Sequence, residues 1–161
     1  MARSTRSGYY VPALGGFYAS LDQYAATMLR VVMGAMLIPH GMQKLFGSLG
    51  GPGMARMAAI MDQIGYHPGT LWAWLIALTE FVGGILLILG LFTRPVAFIL
   101  AGDMAVAYFM AHAPRGFFPI SMGGNGGELA IMFCFVFLYL MVAGAGAWSV
   151  DATREPWRSK Y

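Results

Sequence analysis

The chain has 161 residues, of which 58% are hydrophobic and 11% are charged, and its formal net charge is +3. Soluble domains carry about 25% charged residues, so this composition excludes an ordinary soluble domain. Cys134 is the only cysteine, which excludes an intrachain disulfide, a CxxC redox pair and a thiolate metal site. No run of lysine and arginine indicates a nucleic-acid-binding surface.

The N-terminal part of the chain is predicted to hold one span and one shorter helix. Residues 1–20 read as a polar and aromatic tail, without the apolar core of a cleavable signal peptide. A first helix is predicted over 21–46, with Ser20 and Gln23 at the spacing of a capping box. After a glycine-rich break, residues 54–65 form an amphipathic pattern that is too short to span, so we expect a helix along the membrane interface.

Three further spans are predicted, over residues 71–89, 96–113 and 128–148. Each lies near the roughly 20 apolar residues that a transmembrane helix requires. Gly90 suits a helix C-terminus and Thr93 suits the next N-cap, so the second and third spans form a tight hairpin. The predicted fold class is therefore all-α, an integral membrane four-helix bundle with a short interfacial amphipathic helix between spans one and two.

Basic residues predict the orientation of this bundle. Four spans place both termini on one side of the membrane, and that side holds six basic residues, namely Arg3, Arg6, Arg94, Arg154, Arg158 and Lys160. The other side holds Lys44, Arg56 and Arg115. Because cytoplasmic loops carry the excess of basic residues, both termini, including the C-terminal tail 149–161, are predicted to be cytoplasmic in a bacterial-type inner membrane.

An inner cluster of ionisable residues is predicted within the membrane, where each charge is costly. Arg30, Glu80 and Asp103 lie on three different spans, at depths that agree within about 6 Å at roughly 1.5 Å per residue. Gly83 and Gly84 share a face with Glu80 and allow close helix packing. The cluster is either a structural ion pair that fixes helix register or a polar site for a proton or a quinone headgroup. Desolvation would favour protonation of its excess acid.

An outer cluster is predicted near the opposite face from four residues, His40, Lys44, His112 and Glu128. Two of them have plainer interpretations. Glu128 follows Asn125 at capping-box spacing, and His112 could be an interfacial histidine. A regular helix places Asp103 and His112 on opposite sides, so both can face the bundle only if the third span bends or ends early.

Four segments carry a resemblance to a known family: LRVVMGAMLIPHGMQKLFG (29–47), TEFVGGILLILGLFTRP (79–95), GFFPISMGGNGGE (116–128) and GAGAWSVD (144–151). Over about residues 25–151 the sequence resembles the DoxX family of small four-helix membrane proteins. The positions that match the family are Arg30, His40, Gly41, Lys44, Glu80, Gly83, Gly84, Thr93, Arg94, His112, Glu128, Trp148 and Asp151.

The resemblance implies an association with membrane redox modules. DoxX-like proteins include the membrane subunit of a thiosulfate:quinone oxidoreductase and partners of thiosulfate sulfurtransferase and superoxide dismutase. The leading hypothesis is therefore a membrane subunit of a respiratory or redox complex that offers a quinone or proton site. It predicts no metal and no redox cofactor of the chain's own, with a quinone as the expected ligand.

Two other classes of function stay open at this point. One is a non-catalytic scaffold or anchor subunit of a larger membrane complex, and the other is a small transporter. The expected partners are the lipid bilayer and other membrane or redox subunits, without nucleic acid. The sequence leaves both the oligomeric state and any enzymatic activity open.

Overall fold

The computed structural model describes residues 11–113 and 127–154. Six α-helices follow one another: α1 (Gly15–Phe46), α2 (Gly53–Gln63), α3 (Gly69–Leu89), α4 (Thr93–Ala107), α5 (Glu128–Ala143) and α6 (Val150–Arg154). Short 3-10 turns flank α1 at Pro12–Leu14 and Ser48–Gly50, and a π-helical turn at Tyr108–His112 extends α4. These residues form no β-strand, so the all-α class is confirmed for them. Asn125, Arg115 and most of the predicted tails and glycine-rich loop lie outside the described residues.

Within the described ranges, three helices are long and apolar enough to cross a membrane, over Tyr24–Phe46, Gly69–Leu89 and Thr93–His112. They correspond to the first three predicted spans. The fourth apolar helix, α5, has 16 residues and ends at Ala143, five residues before the predicted end. The helix stops there because Gly144 takes φ 86° and ψ −165°, which is outside the helical region.

The first helix begins earlier than the sequence predicts. Ser20 lies inside α1, which starts at Gly15, and its Oγ donates a hydrogen bond to the carbonyl of Phe17 at 2.7 Å. Ser20 is therefore not the N-cap of this helix. The capping box was predicted from local spacing alone, and a serine inside a helix can instead return its hydroxyl to the preceding turn.

Glycines set the register between α1 and α3. A Cβ atom on Gly34 would lie 2.5 Å from the carbonyl oxygen of Gly84, and one on Gly41 would lie 2.6 Å from the backbone nitrogen of Phe81. The two backbones can approach this closely only because these residues have no side chain. The contacts fix which residues of α1 and α3 lie at the same height, and the expectation that Gly84 allows close packing is confirmed.

The amphipathic helix α2 packs on α3 through its apolar face. Met57 and Met61 form a buried cluster with Ala73 of α3. The turn between the helices is closed by Asp62, whose Oδ1 accepts hydrogen bonds from His67 Nδ1 at 2.9 Å and from the backbone N–H of Gly69 at 2.7 Å. The hydrogen bond from His67 is the larger cause, and the bond from Gly69 the next, of a pKa of Asp62 below its ordinary value.

The main apolar core lies between α1, α3, α4 and α5. Its fully buried side chains include Leu37 of α1, Leu87 of α3, Leu100 of α4, and Phe137 and Leu140 of α5. All four helices therefore contribute to one core, and α5 is an integral part of it.

Replacing Gly34 with alanine should destabilise the protein because the new Cβ would meet the backbone oxygen of Gly84, which cannot rotate away. Overpacking of this kind costs about 1–3 kcal/mol. The measurement is the apparent Tm of the detergent-solubilised protein. Gly102→Ala is the matched control, since a Cβ on Gly102 meets nothing within 4 Å. Equal apparent Tm values for the two variants would contradict the role of Gly34 in helix contact.

Candidate functional site

One cavity of about 520 Å³ lies among the five longer helices. Small-molecule sites usually occupy about 300–1,000 Å³, so a ligand of moderate size fits this volume. Most of its wall is apolar. The polar or ionisable side chains that line it are His40, Lys44, Tyr66, Trp72, Thr79, Glu80, Asp103 and His112. The cavity therefore has an apolar body with a limited set of polar contacts.

A salt bridge between Lys44 and Glu80 lies at the cavity wall. The Nζ atom of Lys44 donates to Oε2 of Glu80. The side chains are only 18% and 7% exposed, so solvent screens the pair less than it would screen a surface pair. Helix register explains the partnership. Gly41 faces Phe81 across the antiparallel α1–α3 contact, and this brings Lys44, one turn further along α1, to the height of Glu80.

Asp103 of α4 is the second acid at the cavity. Its carboxyl group lies within electrostatic reach of Glu80 and Lys44. Its Oδ2 atom is buried and has no hydrogen-bond partner among the described residues. Lys44, Glu80 and Asp103 thus make a group of one cation and two acids.

The two histidines join the same cavity from different helices. His40 lies on α1, one turn before Lys44. His112 lies in the π-helical turn that follows α4. A π-helical turn inserts an additional residue per turn, which rotates His112 towards the side that Asp103 occupies. The sequence predicts that Asp103 and His112 can share a side only if the third span departs from a regular helix. The π-helical turn is such a departure.

Arg30 does not belong to the cavity, which corrects the predicted grouping of Arg30 with Glu80 and Asp103. Its guanidinium is 1% exposed and lies against backbone carbonyls. Nε donates to Ala145 at 2.8 Å, and NH1 donates to Leu87 at 2.9 Å and to Ile88. NH2 donates to Ala147 at 3.3 Å and to Trp148.

The five N–H groups of a guanidinium therefore meet five carbonyl oxygens. The guanidinium of Arg30 lies at Leu87, which is about two turns along α3 from Glu80. The cation that pairs with Glu80 is Lys44 instead. The prediction that Arg30 and Glu80 lie at the same depth was made by counting residues from the helix ends. The glycine contacts between α1 and α3 set a different register.

A second group of contacts near Arg30 ties the C-terminal segment to the α3–α4 turn. Asp151 accepts hydrogen bonds from the backbone N–H groups of Phe92 at 2.9 Å and Thr93 at 2.8 Å. The carboxylate of Asp151 therefore caps α4, whereas the hydroxyl of Thr93 has no partner in the described part of the chain. Arg94 donates through NH1 to the carbonyls of Met141 and Val142, both at 2.7 Å, at the end of α5. The predicted cap was thus wrong in its acceptor, because the carboxylate of Asp151 and not the hydroxyl of Thr93 accepts from the backbone N–H groups.

Glu128 is the first residue of α5 and does not line the cavity. Its Oε2 atom is buried without a hydrogen-bond partner among the described residues. An acid in the first turn is favoured by the helix dipole. The N-cap of α5 is Gly127, so Glu128 is not at the third helical position that the predicted capping box with Asn125 requires. The other three members of the outer cluster all reach the cavity.

Several cavity residues were not predicted as part of a site. Met57 and Met61 of α2, Tyr66 of the following turn, and Trp72 and Thr79 of α3 line its wall. The apolar stripe of α2 was the available signal, but a stripe alone does not show whether it faces lipid or protein. The group closes one side of the cavity with apolar and aromatic surface.

The geometry allows binding of a largely apolar ligand that carries hydrogen-bonding oxygens. The side chains of Lys44, His40 and His112 can donate hydrogen bonds to such oxygens. The apolar walls can cover the ring of a bound ligand. Within residues 11–113 and 127–154, no group of three or more His, Cys, Asp or Glu residues could hold a metal ion. The side chains that line the cavity can supply hydrogen bonding, charge stabilisation and proton transfer.

Comparisons with known proteins agree with the resemblance seen in the sequence. The sequence model of the DoxX family matches residues 25–113. An "uncharacterized protein" of Haemophilus influenzae is 45% identical over 135 residues, which cover 80% of this chain and 89% of that protein. No solved structure matches the chain.

Replacing Arg30 with lysine should destabilise the protein, because an ammonium has three N–H donors for five carbonyls. Each buried acceptor left unsatisfied costs about 1–3 kcal/mol. Arg94→Lys is the matched control, since one ammonium can serve both carbonyls that Arg94 contacts. The measurement is the apparent Tm in detergent. A loss for Arg30→Lys no larger than that of the control would show that the carbonyl contacts do not anchor the fold.

Proposed function

The chain belongs to the DoxX family of membrane proteins, and we propose that it is a membrane subunit of a redox complex whose cavity binds a quinone headgroup. The observation that carries the proposal is the cavity of about 520 Å³ in which His40, Lys44, Glu80, Asp103 and His112 converge. Four of these five residues match family positions.

The chemistry of the cavity fits a quinone. A quinone headgroup is a flat apolar ring with two carbonyl oxygens, and when bound it supplies two-electron, two-proton redox chemistry that no side chain of this chain provides. Lys44 and the histidines are positioned to donate hydrogen bonds to such oxygens. Trp72, Met57 and Met61 offer the apolar and aromatic surface that a ring requires. The unpartnered Oδ2 of Asp103 is a further polar contact that the protein leaves unused.

The proposal includes a fourth membrane span built on α5. Its 16 residues measure about 24 Å, somewhat less than the roughly 30 Å of a hydrocarbon core. The outward side chains Met132, Phe135 and Val142 are apolar and exposed, as lipid contact requires. Residues 144–149, between α5 and α6, are not helical, and Arg30 donates to three carbonyls there. Non-helical backbone is tolerated within a membrane where protein satisfies it.

The proposed location is a bacterial-type inner membrane with both termini in the cytoplasm. The excess of basic residues on the side of the termini supports this orientation. Arg30, Arg94 and Asp151 would then lie towards the cytoplasmic end. The cavity would lie nearer the outer end, where α2 and the π-helical turn contribute to its wall.

A scaffold function is the second candidate, and one observation favours it. The hydrogen bonds of Arg30 within the described part of the chain go to backbone carbonyls, and Arg94 and Asp151 bond to helix ends, so three charged family positions serve the fold. A subunit that only anchors partners would need such positions and no ligand. The scaffold function does not explain why polar and ionisable side chains line the cavity.

Menadione should quench the fluorescence of Trp72 in a saturable manner, because Trp72 lines the cavity and quinones quench indole emission. His40→Ala and Glu80→Gln should each raise the Kd by about tenfold, which corresponds to about 1.4 kcal/mol. The first variant removes a donor, and the second releases the ammonium of Lys44 to Asp103 and away from the ligand oxygens.

Three controls make this measurement specific. Trp72→Phe should remove the saturable signal, and His67→Ala, at an exposed residue outside the cavity, should leave the Kd unchanged. 2-Methylnaphthalene has the same ring system without the carbonyl oxygens and should compete poorly with menadione. An unchanged Kd in both cavity variants, or unchanged quinone-linked activity of the intact complex that carries them, would contradict the proposal.

Gentle extraction of the tagged protein from its native membrane should recover redox subunits in stoichiometric amounts, because the proposed quinone requires a partner that supplies or accepts its electrons. Mass spectrometry of the co-purified proteins, together with lipid and quinone analysis, provides the measurement. A complex of structural proteins that contains neither redox subunits nor quinone would favour the scaffold. Recovery of the protein alone, without quinone, would make solute uptake into liposomes the next measurement.

A further inference from the structure

The polar groups of the cavity contain one carboxyl group more than they contain fixed cations. Lys44 is paired with Glu80 by a direct hydrogen bond. Asp103 shares the cavity with this pair, and its buried Oδ2 receives no hydrogen bond from the residues that the structure describes. If both acids were ionised, the group would carry a net negative charge, and one buried carboxylate oxygen would have no donor.

Such an arrangement is unfavourable for an ionised Asp103. A buried charge requires a partner or hydrogen bonds, and a second carboxylate nearby disfavours ionisation of the first. Glu80 has the ammonium of Lys44 as its partner. The geometry therefore makes the two acids unequal, which the sequence alone leaves open.

We propose that Asp103 carries the exchangeable proton of the cavity, while Glu80 stays ionised against Lys44. In the exchange, the O–H bond of the Asp103 carboxyl breaks and its electron pair remains on the carboxylate. The proton forms a new bond with a lone pair on a ligand oxygen, and the reverse transfer restores the acid. The ligand class is an apolar molecule with an oxygen that gains or loses a proton.

Every titratable group that faces Asp103 in the cavity bears on this assignment. Helix α1 contributes His40 and Lys44, the turn after α2 contributes Tyr66, α3 contributes Glu80, and the π-helical turn contributes His112. The residues that α2 and α5 contribute to the wall are apolar. Lys44 is thus the only lysine or arginine at the cavity in the described part of the chain, and its hydrogen bond goes to Glu80.

This inference deepens the proposed function, because a quinone exchanges protons when it is reduced or oxidised. Its first test does not need a quinone. Dicyclohexylcarbodiimide is an apolar reagent that modifies protonated carboxyl groups: the acid proton moves to a nitrogen of the carbodiimide, and the carboxyl oxygen bonds to its central carbon. Treatment of the detergent-solubilised protein near neutral pH, followed by peptide mass spectrometry, should show modification at Asp103 and none at Glu80.

Variants separate the two acids further. In Lys44→Met, Glu80 loses its cation and should become modified as well. In Glu80→Gln, the ammonium of Lys44 becomes available to Asp103, and modification of Asp103 should fall. Modification of Glu80 in preference to Asp103 in the unaltered protein would overturn the assignment.

Infrared spectroscopy provides an independent measurement that requires no reagent to enter the cavity. The C=O stretch of a protonated carboxyl group should be present in the protein and lost in part in Asp103→Asn. A spectrum unchanged by this substitution overturns the assignment, even if the carbodiimide modifies nothing.

Menadione then tests the exchange itself. Its binding should shift the Asp103 band, because the carboxyl group would donate to a ligand oxygen. An unshifted band in a protein whose Trp72 is quenched overturns the contact between Asp103 and the ligand. If menadione does not bind, the proposed function fails, while the carbodiimide and infrared results still decide which acid holds the proton.

Discussion

The contact of Arg30 with five backbone carbonyls is the interaction on which the rest of the structure depends. In a bilayer no water satisfies a free carbonyl group, so the end of α3 and the unwound chain after α5 need donors from the protein. A guanidinium supplies five donors in a fixed plane, and Arg30 directs them to α3 and to Ala145–Trp148. Asp151 and Arg94 extend the same solution to the start of α4 and the end of α5. The charges at this end of the bundle therefore serve the backbone.

Glycine contacts determine the chemistry at the other end. Gly34 lies against Gly84, and Gly41 lies against Phe81, so α1 and α3 meet in a single register. That register places Lys44 at the height of Glu80. Because the ammonium is bonded to Glu80, the acid of α4 has no cationic partner of its own among the residues that line the described cavity. A small change in helix packing would thus alter the electrostatics of the site.

The cavity combines features that a membrane subunit with a ligand needs and that a purely structural bundle does not. Its walls are mostly apolar, yet His40, Lys44, Glu80, Asp103 and His112 all reach it. The π-helical turn contributes directly, since it brings the last of these residues to the side of the third span that faces the bundle. π-helical turns are frequent at functional sites, and this one closes a cavity. The charged groups that bond to helix ends and the cavity lie at different ends of the helices. The scaffold function and the proposed redox function can therefore be tested with different residues.

The sequence by itself determined the all-α class, the first three spans, the hairpin turn at Gly90 and five of the residues that reach the cavity. These features follow from local properties of the sequence. The length of an apolar run, a glycine at the end of a helix and a charged residue within a span can each be recognised in a short segment. Only the tertiary structure decided that Arg30 leaves the cluster, that Lys44 replaces it, and that Asp151 rather than Thr93 caps α4. Each of these depends on which residues of separate helices meet. Helix register is set by backbone contacts between distant segments, and the spacing along one segment does not contain that information.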